Sequence, residues 1–241
     1  MARFSRLEVL SSIVDIGLVP VFYNDDLEKA KSIVAACRAG GARVVEFTNR
    51  GDNAYRVFSD LVLHFAKADP SVILGVGSVV DPGTAAIYIA SGANFVVGPI
   101  LNADVARVCN RRKVAYSPGC GSASEISEAE EYGVEIVKVF PGGEVGGPNF
   151  VKAVLGPCPW TRIMPTGGVD TTEESINAWF KAGVAAVGIG SNLITKDIVS
   201  SGNWDALSGK TAQVLSMVRK ARGKNVFEGV EHVGIYPTAR A

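Results

Sequence analysis

The sequence has few of the residues on which metal and disulfide chemistry depend. It contains two histidines and four cysteines, and no two cysteines form a CxxC pair. A His/Cys metal site is therefore not expected, and scattered cysteines such as Cys37, Cys109, Cys120 and Cys158 are typical of reduced thiols. We expect neither a metal nor another cofactor.

The sequence also lacks an excess of charge of either sign and a long apolar run. Lysine and arginine together number 24, as do aspartate and glutamate, so the formal net charge is zero. Without a global basic field we expect no nucleic-acid or membrane partner, and an anionic ligand must be held by local groups. Charges interrupt the apolar residues of segment 1–17, which predicts an amphipathic helix rather than a signal peptide. These absences favour a cytoplasmic protein.

Short β-branched runs alternate with longer helical patterns along the chain. The eight strand-like runs are Leu18–Phe22, Arg43–Phe47, Val72–Val76, Phe95–Val97, Val114–Tyr116, Ile136–Phe140, Arg162–Met164 and Ala186–Ile189. The helical patterns between and after them are Leu27–Ala39, Tyr55–Ala68, Thr84–Ser91, Ala103–Arg111, Ser124–Tyr132, Phe150–Leu155, Glu173–Ala182 and Trp204–Ala221. Eight such units predict an α/β fold, a closed (β/α)8 TIM barrel over residues 1–222 with an N-terminal helix.

Residues 223–241 follow the eighth unit and are too few for an independent domain. We expect them to form a short C-terminal extension. It contains one more strand-like run, Val230–Tyr236, which falls outside the eight-unit count.

Two charged side chains stand inside apolar strands. In the sixth run, period-two alternation puts Lys138 on the same face as Ile136 and Phe140, while the valines between them take the other face. The same argument for the second run puts Glu46 on the inward face. Both residues fall near the C-terminal ends of their strands, where TIM barrels build their active sites. Lys138 and Glu46 are therefore expected to meet inside the barrel near its functional end.

Two explanations fit this pair. A structural Lys–Glu pair, or a lysine whose ammonium group reaches the rim, would give the same pattern. Alternatively, burial lowers the pKa of Lys138, so that the neutral amine attacks a carbonyl and forms a Schiff base. Glu46 would then transfer protons during the reaction. Barrel position, polarity and partner all agree with the second explanation.

Glycine and hydroxyl residues follow the seventh and eighth runs, in Thr166–Gly168 and Gly190–Ser191. Backbone N–H groups of glycine approach an anion closely, and TIM barrels often bind phosphate after these two strands. We expect a phosphate site there, although plain turns would have similar sequences. Arg50, just after the second run, suits a substrate carboxylate, but most arginines are solvated surface groups.

Four segments resemble the 2-keto-3-deoxy-6-phosphogluconate (KDPG) aldolase and 4-hydroxy-2-oxoglutarate (KHG) aldolase family. They are GARVVEFTNR (Gly41–Arg50), GVGSV (Gly75–Val79), VKVFP (Val137–Pro141) and PTGGV (Pro165–Val169). They occur in order and at compatible spacing, and the resemblance extends over residues 5–221. Together these motifs are specific, although each alone is not.

The resemblance implies a trimeric class I aldolase that cleaves a 2-keto-4-hydroxy acid to pyruvate and an aldehyde. By motif position it assigns the Schiff-base nucleophile to Lys138 and the general acid/base to Glu46. The carboxylate end of the substrate is assigned to Arg50, Ser78, Pro99 and Phe140. The phosphate end is assigned to Thr166, Gly167, Gly168, Gly190 and Ser191.

The chain departs from the family pattern mainly where the aldehyde half of the substrate would lie. Ser78 stands where the family usually has threonine, Gly98 where many members have serine, and Tyr23 where some have arginine. The loop 141–147 after Lys138 is richer in glycine than the family pattern. The sequence therefore leaves the aldehyde half of the substrate open.

Several substrates agree with these motifs. The first hypothesis is cleavage of KDPG to pyruvate and glyceraldehyde 3-phosphate, with or without cleavage of KHG to pyruvate and glyoxylate by the same lysine. The galactonate epimer of KDPG is an alternative substrate. A phosphosugar-binding or isomerase barrel without lyase activity is an alternative of another class, and it would form no covalent adduct at Lys138.

Overall fold

The computed structural model describes residues 2–223, so the predicted strand-like run Val230–Tyr236 lies outside the described residues. The helices are α1 (Arg6–Ile16), α2 (Leu27–Ala39), α3 (Ala54–Ala68), α4 (Pro82–Ala90), α5 (Ala103–Arg112), α6 (Ala123–Glu131), α7 (Gly147–Leu155), α8 (Glu173–Ala182), α9 (Lys196–Ser201) and α10 (Trp204–Ala221). The strands are β1 (Leu18–Phe22), β2 (Val44–Thr48), β3 (Ile73–Gly77), β4 (Phe95–Val97), β5 (Ala115–Ser117), β6 (Gly119–Cys120), β7 (Val137–Val139), β8 (Ile163–Pro165) and β9 (Val187–Ile189). Within residues 2–223, none of the helices is both long and apolar enough to cross a membrane.

The strands form one parallel barrel. Six pair in the order β5-β4-β3-β2-β1-β9 and three in the order β6-β7-β8. A parallel bridge between Thr166 and Gly188 joins the β8 side to β9, and β5 continues into β6 through Pro118. The predicted (β/α)8 fold is therefore confirmed, with its fifth strand divided into β5 and β6.

The division of the fifth strand corrects the prediction of a single run, Val114–Tyr116. Pro118 has no N–H group, so it cannot donate to the hydrogen-bond ladder of a neighbouring strand. Its carbonyl still accepts a hydrogen bond from the Lys138 backbone N–H at 3.1 Å. The strand therefore resumes at Gly119, which pairs in register with Lys138.

Helix α9 was not expected from the sequence, because six residues are too few to display a helical period. Its start has a recognisable cap, in which the Thr195 side chain accepts a hydrogen bond from the Ile198 N–H. Gly202, at φ 67°, ends it in the left-handed conformation. The N-terminal helix, predicted over segment 1–17, starts five residues later, at Arg6, and the remaining predicted helix and strand ends differ from the observed ones by at most three residues.

Helix α1 closes the N-terminal end of the barrel. Its Val9 and Ile13 pack against inward side chains from the strands, namely Val19, Val44, Ile73, Phe95, Val97, Ala115, Ile136, Met164 and Ala186. The helix is held in place at its start by a capping box between Ser5 and Glu8. Because this lower layer is apolar, inward polar groups are confined to the opposite end of the barrel.

The second face of each strand packs under the helices. Val45 and Phe47 of β2, and Val137 and Val139 of β7, belong to the cluster of buried residues that joins strands to helices. Their neighbours Val44 and Ile136 belong to the interior cluster instead. This arrangement confirms the predicted alternation and directs Glu46 and Lys138 into the barrel.

A substitution of Phe58 in α3 tests how much this outer layer contributes to the stability of the fold. Phe58 is fully buried, with its ring centroid 5.9 Å from that of Phe47 and 5.2 Å from that of Tyr88. We expect Phe58→Ala to lower the free energy of unfolding by about 3–5 kcal/mol, because it leaves a cavity. On the same helix, Leu63 is 61% exposed, and Leu63→Ala should change the free energy of unfolding by less than about 0.5 kcal/mol. Urea unfolding of both variants measures the difference, and equal losses would contradict this packing.

Candidate active site

A cavity of about 710 Å³ opens at the C-terminal ends of β1, β2, β7, β8 and β9. Its walls bring together residues that are far apart in the sequence. The predicted site residues among them are Arg50, Phe140, Thr166, Gly167, Gly168, Gly190 and Ser191. The cavity therefore unites the predicted carboxylate and phosphate ends in one space.

Lys138 lies directly behind the wall of this cavity. Its Nζ is 4.5 Å from the centroid of the Phe140 ring, and that ring lines the cavity. The residue is only 5% exposed, so burial lowers the pKa of Lys138 below its ordinary value. The negative charge of Glu46 opposes this shift, and the positive charge of Arg50 adds to it. A lowered pKa increases the fraction of neutral amine, which is the nucleophilic form.

Glu46 lies inside the barrel close enough to Lys138 for each charge to affect the pKa of the other. It is 1% exposed, and burial raises its pKa, while Lys138 and Arg50 act in the opposite direction. Its Oε2 has no hydrogen-bond partner among residues 2–223. Gly77 of β3 makes room for the carboxylate, because a Cβ at that position would overlap Glu46 Oε1. The carboxyl group is therefore buried, unpartnered on one oxygen and able to retain a proton.

The set of close ion pairs argues against a purely structural Lys138–Glu46 pair. The ion pairs within 4.0 Å that the described residues form are Arg6–Glu135, Lys31–Glu28, Arg38–Asp69 and Arg107–Asp104. Neither Lys138 nor Glu46 belongs to them. The low exposure of Lys138 also argues against a lysine that reaches the rim.

Arg50 lines the cavity, and Ser78, which does not, lies beside Arg50. The Arg50 Nε is 3.4 Å from the Ser78 Oγ, a distance at the long end for a hydrogen bond. Ser78 adopts a positive φ of 61°, where a β-branched side chain is strongly disfavoured. Serine therefore suits this backbone better than the threonine usual in the family pattern.

Pro99 is one of four predicted site residues, with Glu46, Ser78 and Lys138, that do not line the cavity. Its backbone lies against Gly119, the register partner of Lys138. Its contact with the site is therefore through the strand beside Lys138.

The loop after β8 is held so that its N–H groups stay available. The carbonyls of Thr166 and Gly167 accept hydrogen bonds at 2.9 and 3.1 Å from N–H groups of the loop after β7, and the Gly168 carbonyl accepts one from Trp179 Nε1 at 3.3 Å. Gly167 and Gly168 both have positive φ, at 85° and 72°. Within residues 2–223, their N–H groups and the buried Thr166 Oγ1 have no partner. Free donors at the edge of a cavity are what an anion requires.

Comparison with known proteins agrees with this geometry. A model of the KDPG and KHG aldolase family matches residues 9–209. The chain belongs to this family. The KHG/KDPG aldolase of Escherichia coli is 31% identical to it over 198 residues, which span 82% of this chain and 90% of that protein. The 2-dehydro-3-deoxy-phosphogluconate aldolase of Pseudoalteromonas atlantica is 32% identical over 199 residues, which span 83% and 90%.

Solved structures of the family have the same fold. The KDPG aldolase from Legionella pneumophila, crystallised with pyruvate captured as a covalent carbinolamine, superimposes with a TM-score of 0.76 at 27% identity. The match covers 88% of this chain and 98% of that one. Members of the family are class I aldolases, so this chain is a carbon–carbon lyase.

The cavity of this aldolase also contains residues that the sequence did not single out. The polar ones among them are Lys29, Thr48, Asn192, Lys196 and Ser200. Thr48 shares the inward face of β2 with Glu46, so period-two alternation could have identified it. Lys196 and Ser200 belong to the short helix α9, which has no sequence signal strong enough to predict it.

The raised pKa of Glu46 predicts how the free energy of unfolding depends on pH. An unfolded glutamate ionises near its ordinary pKa of 4.5, whereas buried Glu46 keeps its proton to higher pH. The unfolded state then binds fewer protons, so the stability that this group contributes below pH 4.5 is lost as the pH rises to the folded pKa. The unfolding free energy of Glu46→Gln relative to wild type should therefore increase over this window, by about 1.4 kcal/mol per pH unit at most.

Urea unfolding at several pH values measures this difference. Glu131→Gln, the same change at an exposed position of α6, is the matched control. Parallel stability curves for wild type and Glu46→Gln would show that Glu46 ionises as it does in water, and the proposed burial effect would be wrong.

Proposed function

We propose that this aldolase cleaves KDPG to pyruvate and glyceraldehyde 3-phosphate, and KHG to pyruvate and glyoxylate, through a Schiff base on Lys138. The observation that carries the proposal is the buried amine of Lys138, behind a cavity wall and beside the carboxyl group of Glu46. Burial favours the neutral amine, and a carbonyl in the cavity would meet it next to a proton-transfer group. A homotrimer and a cytoplasmic location stay predictions.

The first half of the reaction joins substrate and lysine. The neutral Lys138 Nζ attacks the C2 carbonyl of the keto acid and forms a carbinolamine. Glu46, in its protonated form, supplies a proton to the departing hydroxyl, and water leaves to give an iminium ion. The raised pKa of Glu46 suits this step, because the acid must hold its proton near neutral pH.

The second half breaks the carbon–carbon bond. Ionised Glu46 accepts the proton of the C4 hydroxyl, the C3–C4 bond breaks, and its electron pair moves into the iminium to give an enamine. The aldehyde leaves, the enamine is protonated at C3, and hydrolysis releases pyruvate and restores Lys138. The iminium takes up the electron pair, so the step needs no external oxidant or reductant.

The two ends of the cavity would hold the two anionic ends of the substrate. We propose that Arg50 and Ser78 bind the C1 carboxylate, while Pro99 and Phe140 shape the wall near the reacting carbons. Thr166, Gly167, Gly168, Gly190 and Ser191 would bind the distal phosphate through backbone and hydroxyl donors. The galactonate epimer of KDPG has the same two anionic ends.

Covalent trapping tests the nucleophile. Incubation with pyruvate and borohydride should leave a reduced pyruvate adduct on the peptide that contains Lys138, detected by mass spectrometry. Lys138→Met should remain folded, form no adduct and lose cleavage activity, because it has no amine. Lys152→Met, at an exposed lysine of α7, should still form the adduct on Lys138 and keep its cleavage activity. An adduct on another lysine, or no adduct, would overturn the proposal and favour a non-lyase barrel.

Arg50→Gln tests the carboxylate end. Losing charge-assisted hydrogen bonds of about 1.5–3 kcal/mol should raise KM for KDPG and KHG alike by about ten- to a hundredfold, since both carry the C1 carboxylate. Arg56→Gln on α3, where the guanidinium stacks over Tyr55, should leave KM unchanged. Rates for KDPG, its galactonate epimer and KHG, compared as kcat/KM, would also identify the preferred substrate. If Arg50→Gln left KM unchanged, the carboxylate would have to bind elsewhere.

A further inference from the structure

The charged residues of the cavity wall are all positive. Among residues 2–223 they are Lys29, Arg50 and Lys196, and no aspartate or glutamate of this part of the chain lines the cavity. The chain as a whole is neutral, so this is a local concentration of positive charge. Arg50 is already assigned to the carboxylate end of the substrate, which leaves the two lysines without a role.

The barrel order separates Lys196 from Arg50 and places Lys29 between them. Strand β1 lies between β2 and β9, and Arg50 follows β2. Lys29 lies in the first turn of α2, after β1, and Lys196 is the first residue of α9, after β9. Lys196 therefore comes from the side of the cavity that also carries Gly190 and Ser191, the proposed phosphate end, and Lys29 comes from β1, the strand that pairs with β9.

Neither lysine is neutralised by a neighbouring acid within residues 2–223. The acid beside Lys29 in the sequence, Glu28, is paired with Lys31 at 2.6 Å. Asp26 instead caps α2 by accepting hydrogen bonds from its first N–H groups. Of the ion pairs in the described part of the chain, none includes Lys29 or Lys196.

The acidic residue nearest in sequence to the proposed phosphate end also has a hydrogen-bond partner. Asp170, just after Gly168 and Val169, accepts a hydrogen bond from the Asn192 side chain at 2.5 Å. Asn192 lines the cavity, whereas Asp170 does not. Asp197 follows Lys196 directly in the sequence and forms no ion pair with it within 4.0 Å, so among residues 2–223 neither ammonium group is held by a close ion pair.

We propose that Lys29 and Lys196, the distal lysine pair, select substrates whose aldehyde half ends in a phosphate dianion. This inference rests on the proposed aldolase function. A phosphate monoester carries about −1.5 to −2 charges at neutral pH, so two cations attract it more strongly than a carboxylate or a hydroxyl group. In KHG the distal carboxylate is attached directly to the reacting carbon C4. The phosphate of KDPG is two carbons further away, at the rim where the lysines are.

The exposure of the lysines sets the size of the effect. Both are solvent-exposed, so each contributes a screened attraction rather than a buried ion pair. We expect Lys29→Gln or Lys196→Gln to raise KM for KDPG about threefold, and the double variant about tenfold, with kcat little changed. KM for KHG and for unphosphorylated 2-keto-3-deoxygluconate should stay within about twofold of wild type. Added salt should raise the wild-type KM for KDPG more than that of the double variant.

Lys31→Gln is the matched control. Lys31 lies two residues from Lys29 on the same helix, is paired with Glu28, and does not line the cavity. Its KM values should equal those of wild type. A double variant whose KM for KDPG stays within twofold of wild type, or rises equally for all three substrates, overturns the role of the distal lysine pair.

A binding measurement separates this inference from the proposed function. Calorimetric titration with 3-phosphoglycerate needs no turnover, and its Kd should rise about tenfold in the double variant and stay unchanged in Lys31→Gln. An unchanged Kd in the double variant overturns the inference. Pyruvate trapping on Lys138 in the same double variant should remain at the wild-type level. Loss of trapping in wild type would instead overturn the aldolase proposal, whatever the binding result.

Discussion

Inside the barrel, the Lys138 amine lies behind the Phe140 ring and above an apolar layer that α1 closes from below. An ammonium group at this position would lose most of its hydration, and no close ion pair replaces it among the described residues. Burial therefore favours the neutral amine, and it favours the protonated carboxyl of Glu46 for the same reason. The rest of the site depends on this shared desolvation, because the proposed reaction starts from the neutral amine of Lys138 and the protonated carboxyl of Glu46.

Several parts of the fold maintain that desolvation. Helix α1 seals the N-terminal end, and the strands keep Glu46 and Lys138 on the inward face. Gly77 leaves space for the carboxylate where any larger residue would displace it. The loop after β7 donates hydrogen bonds to the loop after β8, so the groups around the cavity support one another. A reactive pair can thus be buried because the surrounding layers are closed and well packed.

The charges of the site are arranged along the length of the cavity. Arg50 lies at one side, the glycine loops with Lys196 lie towards the other, and Lys29 lies between them. A substrate with an anion at each end would be oriented by these groups, so that its reacting carbons lie between them. This arrangement explains how a chain of zero net charge can bind a highly charged molecule.

The sequence alone determined the barrel, the inward direction of Lys138 and Glu46, and the strand ends that surround the site. These follow from backbone geometry, because a two-residue period and strand-to-helix alternation are local properties that can be read along the chain. Only the tertiary structure decided that Lys29 and Lys196 belong to the cavity, that Arg50 contacts Ser78, and that Pro99 lies outside the wall. Arg50 meets Ser78 because β2 pairs with β3, and the cavity forms when β9 pairs with β1 and closes the barrel. Closure brings together side chains that are more than a hundred residues apart in the sequence. A local sequence pattern carries no information about such contacts.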